Sequence, residues 1–378
     1  MEQTIYAGRR SVGNLSGVLA RNKAKRVFLV RGKKSYRMSH AENALKKIFQ
    51  PYDVTQFYDF QLNPKIVDIQ RGANVLRKNR CDFVVGVGGG SVIDIAKAVS
   101  VLACNPGEVS EYIRGRRSLN KRKLLTVAIP TTAGTGSEST SFSVVYIGKT
   151  KYSFANISIL PDFAILDPTF TESMPSAITA STGMDALCQG VESFWSVKST
   201  KESRKLSSKA MRLSISSLEK AVKKPDYKTR ENMLRASNLA GQAINIAKTT
   251  AAHSISYPLT SFFNIPHGHA VSITIPLFFE FNYDVTNETL QDKRGVEFVK
   301  KTMKELFSIF NCETATETKQ AMIRILESIG LETRLSNLDI TTKDFDIIIN
   351  NGFTPERVKN NPRLLTEAQL QRMLLAIL

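Results

Sequence analysis

Between residues 26 and 166 the chain alternates short apolar runs with longer stretches of helical spacing. RVFLV at 26–30, VTQFY at 54–58, DFVVGV at 82–87, LLTVAI at 124–129, SFSVVY at 141–146 and FAIL at 163–166 are rich in β-branched and aromatic residues, which predicts strands. Residues 41–49, 66–79 and 92–102 place apolar side chains three and four apart, which predicts helices. A basic stretch at 149–152 reads as a turn. Strands alternating with helices predict a parallel sheet covered by helices. Beyond Pro175 the strand pattern all but disappears. Helices are expected at 178–196, 204–222 and 229–249 and on through 250–274, with a loop at 223–227 and polar turns near Asn311, 334–338 and 350–363. The pattern therefore predicts an α/β domain over residues 1–173 and an all-α domain over 174–378. Without a repeat or long linker, the two are expected to pack closely around a cleft.

Composition narrows this picture in three ways. A chain of 378 residues with 42% hydrophobic content can fill a core in each domain. No apolar run reaches the roughly 18 residues needed to span a bilayer, and the N-terminus lacks a signal-peptide stretch, so a cytoplasmic protein with no membrane partner is expected. Cys81, Cys104, Cys188 and Cys312 have no CxxC spacing and read as reduced structural thiols. The formal charge of +18 raises the question of nucleic acid. Its basic residues are dispersed, however, in short clusters such as 114–117, 121–123 and 223–224, with no aromatic-interleaved stripe. A solvated basic surface that attracts small anions is the preferred reading, with no nucleic-acid partner.

The strand at 82–87 runs into Gly88, Gly89, Gly90 and Ser91, and a helix follows. Glycines admit close backbone approach, and a helix N-terminus favours negative charge, so this turn is a candidate phosphate site. A tight strand-to-helix turn with no ligand is the alternative. Asp94 and Lys97 lie one turn apart and read as a supporting pair or a surface pair. A second loop, PTTAGTGSEST at 130–140, is dense in hydroxyl and glycine residues and flanked by apolar runs, as a buried cofactor loop would be.

Three of the four histidines, His253, His267 and His269, fall within residues 250–274, and only His40 lies elsewhere. His253 sits in a helical run, while 266–269 reads as a turn. Upstream, Asp185 lies among small and apolar residues, where an ionised carboxylate needs a cation or strong donors. Gln189 follows at i+4 on the same face. Asp185, His253 and a second histidine from 266–269, with the Gln189 amide nearby, suit a borderline divalent ion such as Fe²⁺ or Zn²⁺. The alternative is a histidine hydrogen-bonded within an apolar core.

GGGSVIDIAKA at 88–98, PTTAGTGSEST at 130–140, ILPDFAILDP at 159–168, STGMDALCQGVES at 181–193 and the histidine window together resemble the iron-containing (group III) alcohol dehydrogenase family. The resemblance covers about residues 5–280 and is diffuse beyond. It implies a dinucleotide-binding first domain and a helical second domain that holds the metal and the substrate. By resemblance, the metal ligands are Asp185, His253 and His267, and Gln189 stands where the family has another histidine. Tyr257 likewise replaces a histidine thought to lie beside the substrate, and with His267 is assigned a catalytic role. The cofactor is expected against Gly88, Gly89, Gly90, Ser91 and Asp94, with Thr131, Thr132 and Thr135 around ribose and nicotinamide and Lys151 nearby.

NAD-specific relatives carry an Asp about where Gly32 stands, followed here by Lys33, Lys34 and Ser35. A carboxylate there binds ribose hydroxyls and repels a 2′-phosphate, so NADPH is expected to be accepted and favoured over NADH. Within the family the blocks are most like those of phosphonoacetaldehyde reductases, implying a small anionic aldehyde as substrate. A general primary alcohol dehydrogenase is the alternative, as is a cofactor-binding protein whose catalysis was lost at Gln189. A homodimer is the family expectation.

Overall fold

The computed structural model describes residues 3–61, 63–119, 123–148 and 150–378. Two members of the 121–123 basic cluster and Lys149 of the expected turn lie outside them. The chain divides into two compact units, Met1–Met174 with Asp226–Leu234, and Pro175–Pro225 with Arg235–Leu378. The first division falls beside the expected boundary. The return of 226–234 to the first unit has no counterpart in the sequence reading.

The first unit is built on a six-stranded parallel sheet. Its strands are β1 (Thr4–Ala7), β2 (Arg26–Arg31), β3 (Asp53–Phe57), β4 (Phe83–Gly88), β5 (Leu125–Pro130) and β8 (Phe163–Leu166), ordered β1-β8-β5-β4-β2-β3. The central β4 is buried at every residue, the signature of a strand covered on both faces. One face packs Phe28, Val30 and Val84 against the helices Ile66–Lys78 and Gly90–Leu102. The other packs Val27, Leu29 and Val85 against Asn14–Arg21 and Ala41–Phe49. From β2 the chain moves outward to β3, then crosses back to β4 and on to β5. The direction of winding therefore reverses between β2 and β4, and ligands bind at such reversals, outside the carboxyl ends of the strands.

Two sequence expectations for this unit need correction. Nothing was assigned before residue 26, yet β1 is a strand pairing with β8 at the sheet edge; its TIYA segment is too short and too exposed to register as a run. The expected turn at 149–152 is instead the start of β7 (Thr150–Ala155), which forms an antiparallel hairpin with β6 (Phe142–Ile147), Tyr146 opposite Lys151. Lys151 is thus a hairpin residue. Polar side chains on the open face of a two-stranded ribbon make such a strand look like a turn.

The second unit is helical. Its early members are Ser176–Trp195, Lys201–Lys223, Ala251–Phe263 and His267–Ser272. The 223–227 loop is shorter than expected, since one helix runs to Lys223 and the next starts at Tyr227. Nor is 266–269 a turn throughout, because His267 opens a short helix after Pro266. Among the described residues no helix is long and apolar enough to cross a membrane.

Candidate functional site

In the first unit, three loops leave the carboxyl ends of the neighbouring strands β2, β4 and β5. Gly88 ends β4 opposite Pro130 of β5, and the Thr131 N–H donates to the Gly88 carbonyl at 3.0 Å. Gly89 precedes the helix Gly90–Leu102, and no side chain caps its N-terminus. A Cβ at Gly90 would stand 2.7 Å from the Thr135 methyl, so only glycine lets the two loops meet. The Thr131 hydroxyl is buried without a partner. A bare helix N-terminus, a glycine cradle and an unpaired hydroxyl fit a phosphate-bearing ligand.

Asp94 and Lys97, on this same helix, are buried, which excludes a surface pair. The Lys97 Nζ lies 3.2 Å from Asp94 Oδ1 and donates to the Ser137 and Phe142 carbonyls at 2.9 and 2.6 Å and to the Thr140 hydroxyl at 3.0 Å. Asp94 accepts from Ser137 Oγ and from the Val144 N–H. Burial lowers the Lys97 pKa, against the raising effect of the Asp94 charge. Both Asp94 oxygens have protein partners, and through them this residue braces the loop 137–144 against the helix.

At the end of β2, Gly32 is followed by the exposed Lys33 and Lys34 and the half-buried Ser35. Among the described residues Lys33 has one long ion-pair contact, 3.9 Å to Asp59. Arg31, which the sequence reading passed over, is buried, bonded to Gln56 Oε1 at 2.7 Å and set over the Tyr58 ring at 3.9 Å.

In the second unit the site begins on the helix Ser176–Trp195, buried along almost its entire length. Asp185, Gln189 and Glu192 fall at i, i+4 and i+7 and share one face. Small residues allow close neighbours: a Cβ on Gly190 would stand 2.9 Å from Met211 Cγ. Gly268 is tighter still, because its Cβ would lie 1.8 Å from the Ser181 carbonyl and 2.9 Å from Asp185 Cβ. Glycine beside His267 is therefore what seats the short histidine helix against the Asp185 helix.

The helix Ala251–Phe263 brings His253 and, one turn later, Tyr257. Metal-ligating atoms of Asp185, His253 and His267 all lie within 4.8 Å of one another. His253 Nε2 is 3.5 Å from Asp185 Oδ1, and the Gln189 amide donates to that oxygen at 3.1 Å. His253 Nε2 and Gln189 Oε1 are buried with no hydrogen-bond partner. An imidazole nitrogen and an amide oxygen left unpaired beside a carboxylate are suitable donors for a divalent ion. The ring of the half-buried Tyr257 stacks near His267, with centroids 6.3 Å apart and planes at 27°. His269 turns elsewhere, its Nε2 meeting the Glu332 carbonyl at 2.8 Å.

Sequence reasoning missed Glu192. This fully buried carboxylate engages His253 Nδ1 with one oxygen, and with the other accepts from Thr250 Oγ1 at 2.7 Å and the His253 N–H at 3.2 Å. Thr250 in turn accepts from the Trp195 indole at 3.0 Å. Its hydroxyl thus serves Glu192 in place of capping its own helix. A carboxylate holding the far nitrogen of a ligating histidine fixes its tautomer and raises its basicity. The available signal was an acid at i+7 from Asp185 in a helix with no exposed face.

The charges agree with this geometry. Burial would push the His253 pKa down, but Glu192 and Asp185 overcome it and raise it to about 9. Burial would raise Asp185 and Glu192, but His253 beside both, with His267 acting on Asp185, holds each below its usual value. Two buried carboxylates stabilise positive charge at their centre.

Residues 2–168 match the family model for iron-containing alcohol dehydrogenase, and residues 179–378 match that of the C-terminal domain of Fe-containing alcohol dehydrogenases. The NAD-dependent methanol dehydrogenase of Bacillus methanolicus is 29% identical over 371 residues, 97% of this chain and 96% of that protein. Long-chain-alcohol dehydrogenase 1 of Geobacillus thermodenitrificans is 39% identical over 228 residues, which is 60% of this chain and spans only 58% of that protein. The crystal structure of sulfoacetaldehyde reductase from Bifidobacterium kashiwanohense in complex with NAD+ superposes with a TM-score of 0.88 at 30% identity, covering 99% of this chain and 96% of that one.

Proposed function

Because the chain belongs to the iron-containing alcohol dehydrogenase family, we propose that it reduces a small anionic aldehyde to a primary alcohol, phosphonoacetaldehyde to 2-hydroxyethylphosphonate being the best candidate. The observation that carries this reading is the convergence of Asp185, His253 and His267 within 4.8 Å. When bound, a divalent iron polarises the carbonyl as a Lewis acid and a reduced nicotinamide supplies the hydride; zinc would serve the same role.

Asp185, His253, His267 and the Gln189 oxygen hold the ion. Glu192 keeps His253 Nδ1 engaged, so that Nε2 faces the cage. Tyr257, beside His267, presents a phenol able to pass a proton to the product oxygen. In the first unit Gly88, Gly89, Gly90 and Ser91 receive the cofactor's pyrophosphate, and Thr131, Thr132 and Thr135 contact the ribose and nicotinamide. Lys151 keeps its place by family position alone.

At the end of β2, Gly32 offers no carboxylate to repel a 2′-phosphate, and Lys33 and Lys34 are free of strong ion pairs to receive one. Replacing Gly32 with a side chain would also bring a Cβ 2.0 Å from Ser35 Oγ. We therefore read NADPH as the favoured cofactor. A kcat/KM ratio above one for NADPH over NADH is expected, and NADH preference overturns this part.

The sulfoacetaldehyde reductase likeness supports a two-carbon aldehyde bearing an anion. The methanol and long-chain-alcohol dehydrogenase likenesses support a general alcohol dehydrogenase equally. Following NADPH absorbance with phosphonoacetaldehyde and with simple aldehydes separates the two. Higher kcat/KM for the phosphonate supports the first, and equal or lower values support the second. Repeating the assay with Fe²⁺, Zn²⁺ or chelator tests the cage. Cofactor binding without turnover of any aldehyde under any of these conditions would mean that the Gln189 replacement has abolished catalysis. A cytoplasmic homodimer is part of the same proposal, checked by sedimentation of the purified protein.

A further inference from the structure

The helix Lys201–Lys223 packs one side against the metal-bearing helix, where Ser207 Oγ meets Ser193 Oγ at 2.7 Å. Its other side carries Lys201, Arg204, Lys205, Ser208 and Arg212 at i, i+3, i+4, i+7 and i+11, which sets them along one stripe. These residues line a cleft of about 370 Å³ together with Phe194, Ile309 and Glu305. Phe194 and Ile309 are buried and contribute an apolar floor. Four cations thus face a single carboxylate.

That carboxylate does little to balance them. Arg204 reaches Glu305 Oε2 only at 3.5 Å, and its Nε is buried without a hydrogen-bond partner. Among the described residues Lys201, Lys205 and Arg212 form no ion pair. Elsewhere on the same helix the ordinary arrangement holds, as Lys223 pairs with Glu219 at 2.7 Å. Like charges one turn apart destabilise a helix unless a counter-charge lies between them. An apolar floor at the base of an open cleft, with cations along its rim, offers an anionic organic molecule both a charge and a surface to lie on. The stripe is also too short for a nucleic-acid backbone, which needs a basic surface extending over many phosphates.

We propose that this cleft binds a small organic phosphate, its phosphoryl oxygens accepting from Arg204, Lys205 and Arg212 and its carbon skeleton lying over Phe194 and Ile309. Guanidinium groups suit phosphoryl oxygens because their planar fork donates two parallel hydrogen bonds.

The test is isothermal titration of phenyl phosphate, and separately of inorganic phosphate, into the full chain at constant ionic strength. Saturable binding is expected, tighter for phenyl phosphate. The Lys205→Ala/Arg212→Ala variant, which removes two exposed side chains and should keep the wild-type circular dichroism, should weaken it by about tenfold or more. Affinity unchanged in that variant would locate binding elsewhere, the glycine cradle included, and overturn the proposal. Absence of saturable heat overturns it too, and equal affinity for inorganic phosphate overturns the role of the apolar floor.

Discussion

Asp94 and Asp185 are both buried carboxylates on helices, 8% and 3% exposed, yet their surroundings are balanced in opposite ways. Beside Asp94 stands Lys97, a counter-charge one turn away, and both carboxylate oxygens have a donor. That cluster is closed, and it serves to hold a loop. Near Asp185 stands a second carboxylate, Glu192, with the single His253 imidazole bridging them, and two ligating atoms remain unpaired. That cluster is open, and it calls for a cation. Burial of an acid alone therefore does not mark a functional site; the sign of the uncompensated charge around it does.

The comparison breaks first at Lys97. Lys97→Met leaves Asp94 buried without its counter-charge and should cost about 3–5 kcal/mol of stability. Urea unfolding followed by circular dichroism measures it, and a loss below about 1 kcal/mol would show that the brace contributes little to stability. Adding Fe²⁺ should not restore the stability of this variant.

The open cluster should respond in metal affinity rather than in folding. Glu192→Gln retains an acceptor for Thr250 but removes the charge behind His253, and should weaken metal binding about 10–100-fold. Chelator competition reads this directly, and unchanged affinity would reduce Glu192 to a packing residue.

The smallest effect belongs to a half-buried cation set beside other cations. Burial, together with the Arg357 and Lys198 charges, lowers the Lys248 pKa to about 8. Its folded value lies below its unfolded value, so the unfolded chain binds this proton more readily between about 8 and 10.5. The contribution of Lys248 is therefore destabilising at neutral pH and is relieved as pH rises through that window. Lys248→Gln should stabilise the protein at pH 7 by at most about 1 kcal/mol after solvent screening. The gain should fade toward alkaline pH in thermal melts, and a pH-independent gain would point to packing instead.

The two clusters also differ in how far they could be read from sequence. The strands β2, β4, β5 and β8 were legible because each is dominated by apolar residues. The glycine turn was legible because its function lies in consecutive backbone atoms. Asp185, His253 and His267 are far apart in the chain, and only the crowding of rare histidines and the family resemblance joined them. For Asp94 and Lys97 the supporting-pair and surface-pair readings both stayed open, because Asp and Lys at i, i+3 look alike on a wet and on a dry helix. The apolar residues surrounding them on every face of 90–102 were the available clue. Glu192 lay inside a motif already noticed, and its one signal, an acid at i+7 from Asp185 in a helix with no exposed face, marks it as buried without telling an acid that orients a ligand from one that packs. The return of 226–234 to the first unit depends on tertiary contacts that no local pattern encodes.

Trp195 is the only tryptophan in the chain, and its indole is the first donor in the relay through Thr250 to Glu192. Light absorbed by this single chromophore is therefore emitted from three hydrogen-bonding groups behind His253, in a dry pocket walled by Phe278 and Phe279. The protein carries its own fluorescent gauge of the cage, and the colour of that emission can follow ion loading in unlabelled solution without any substrate present.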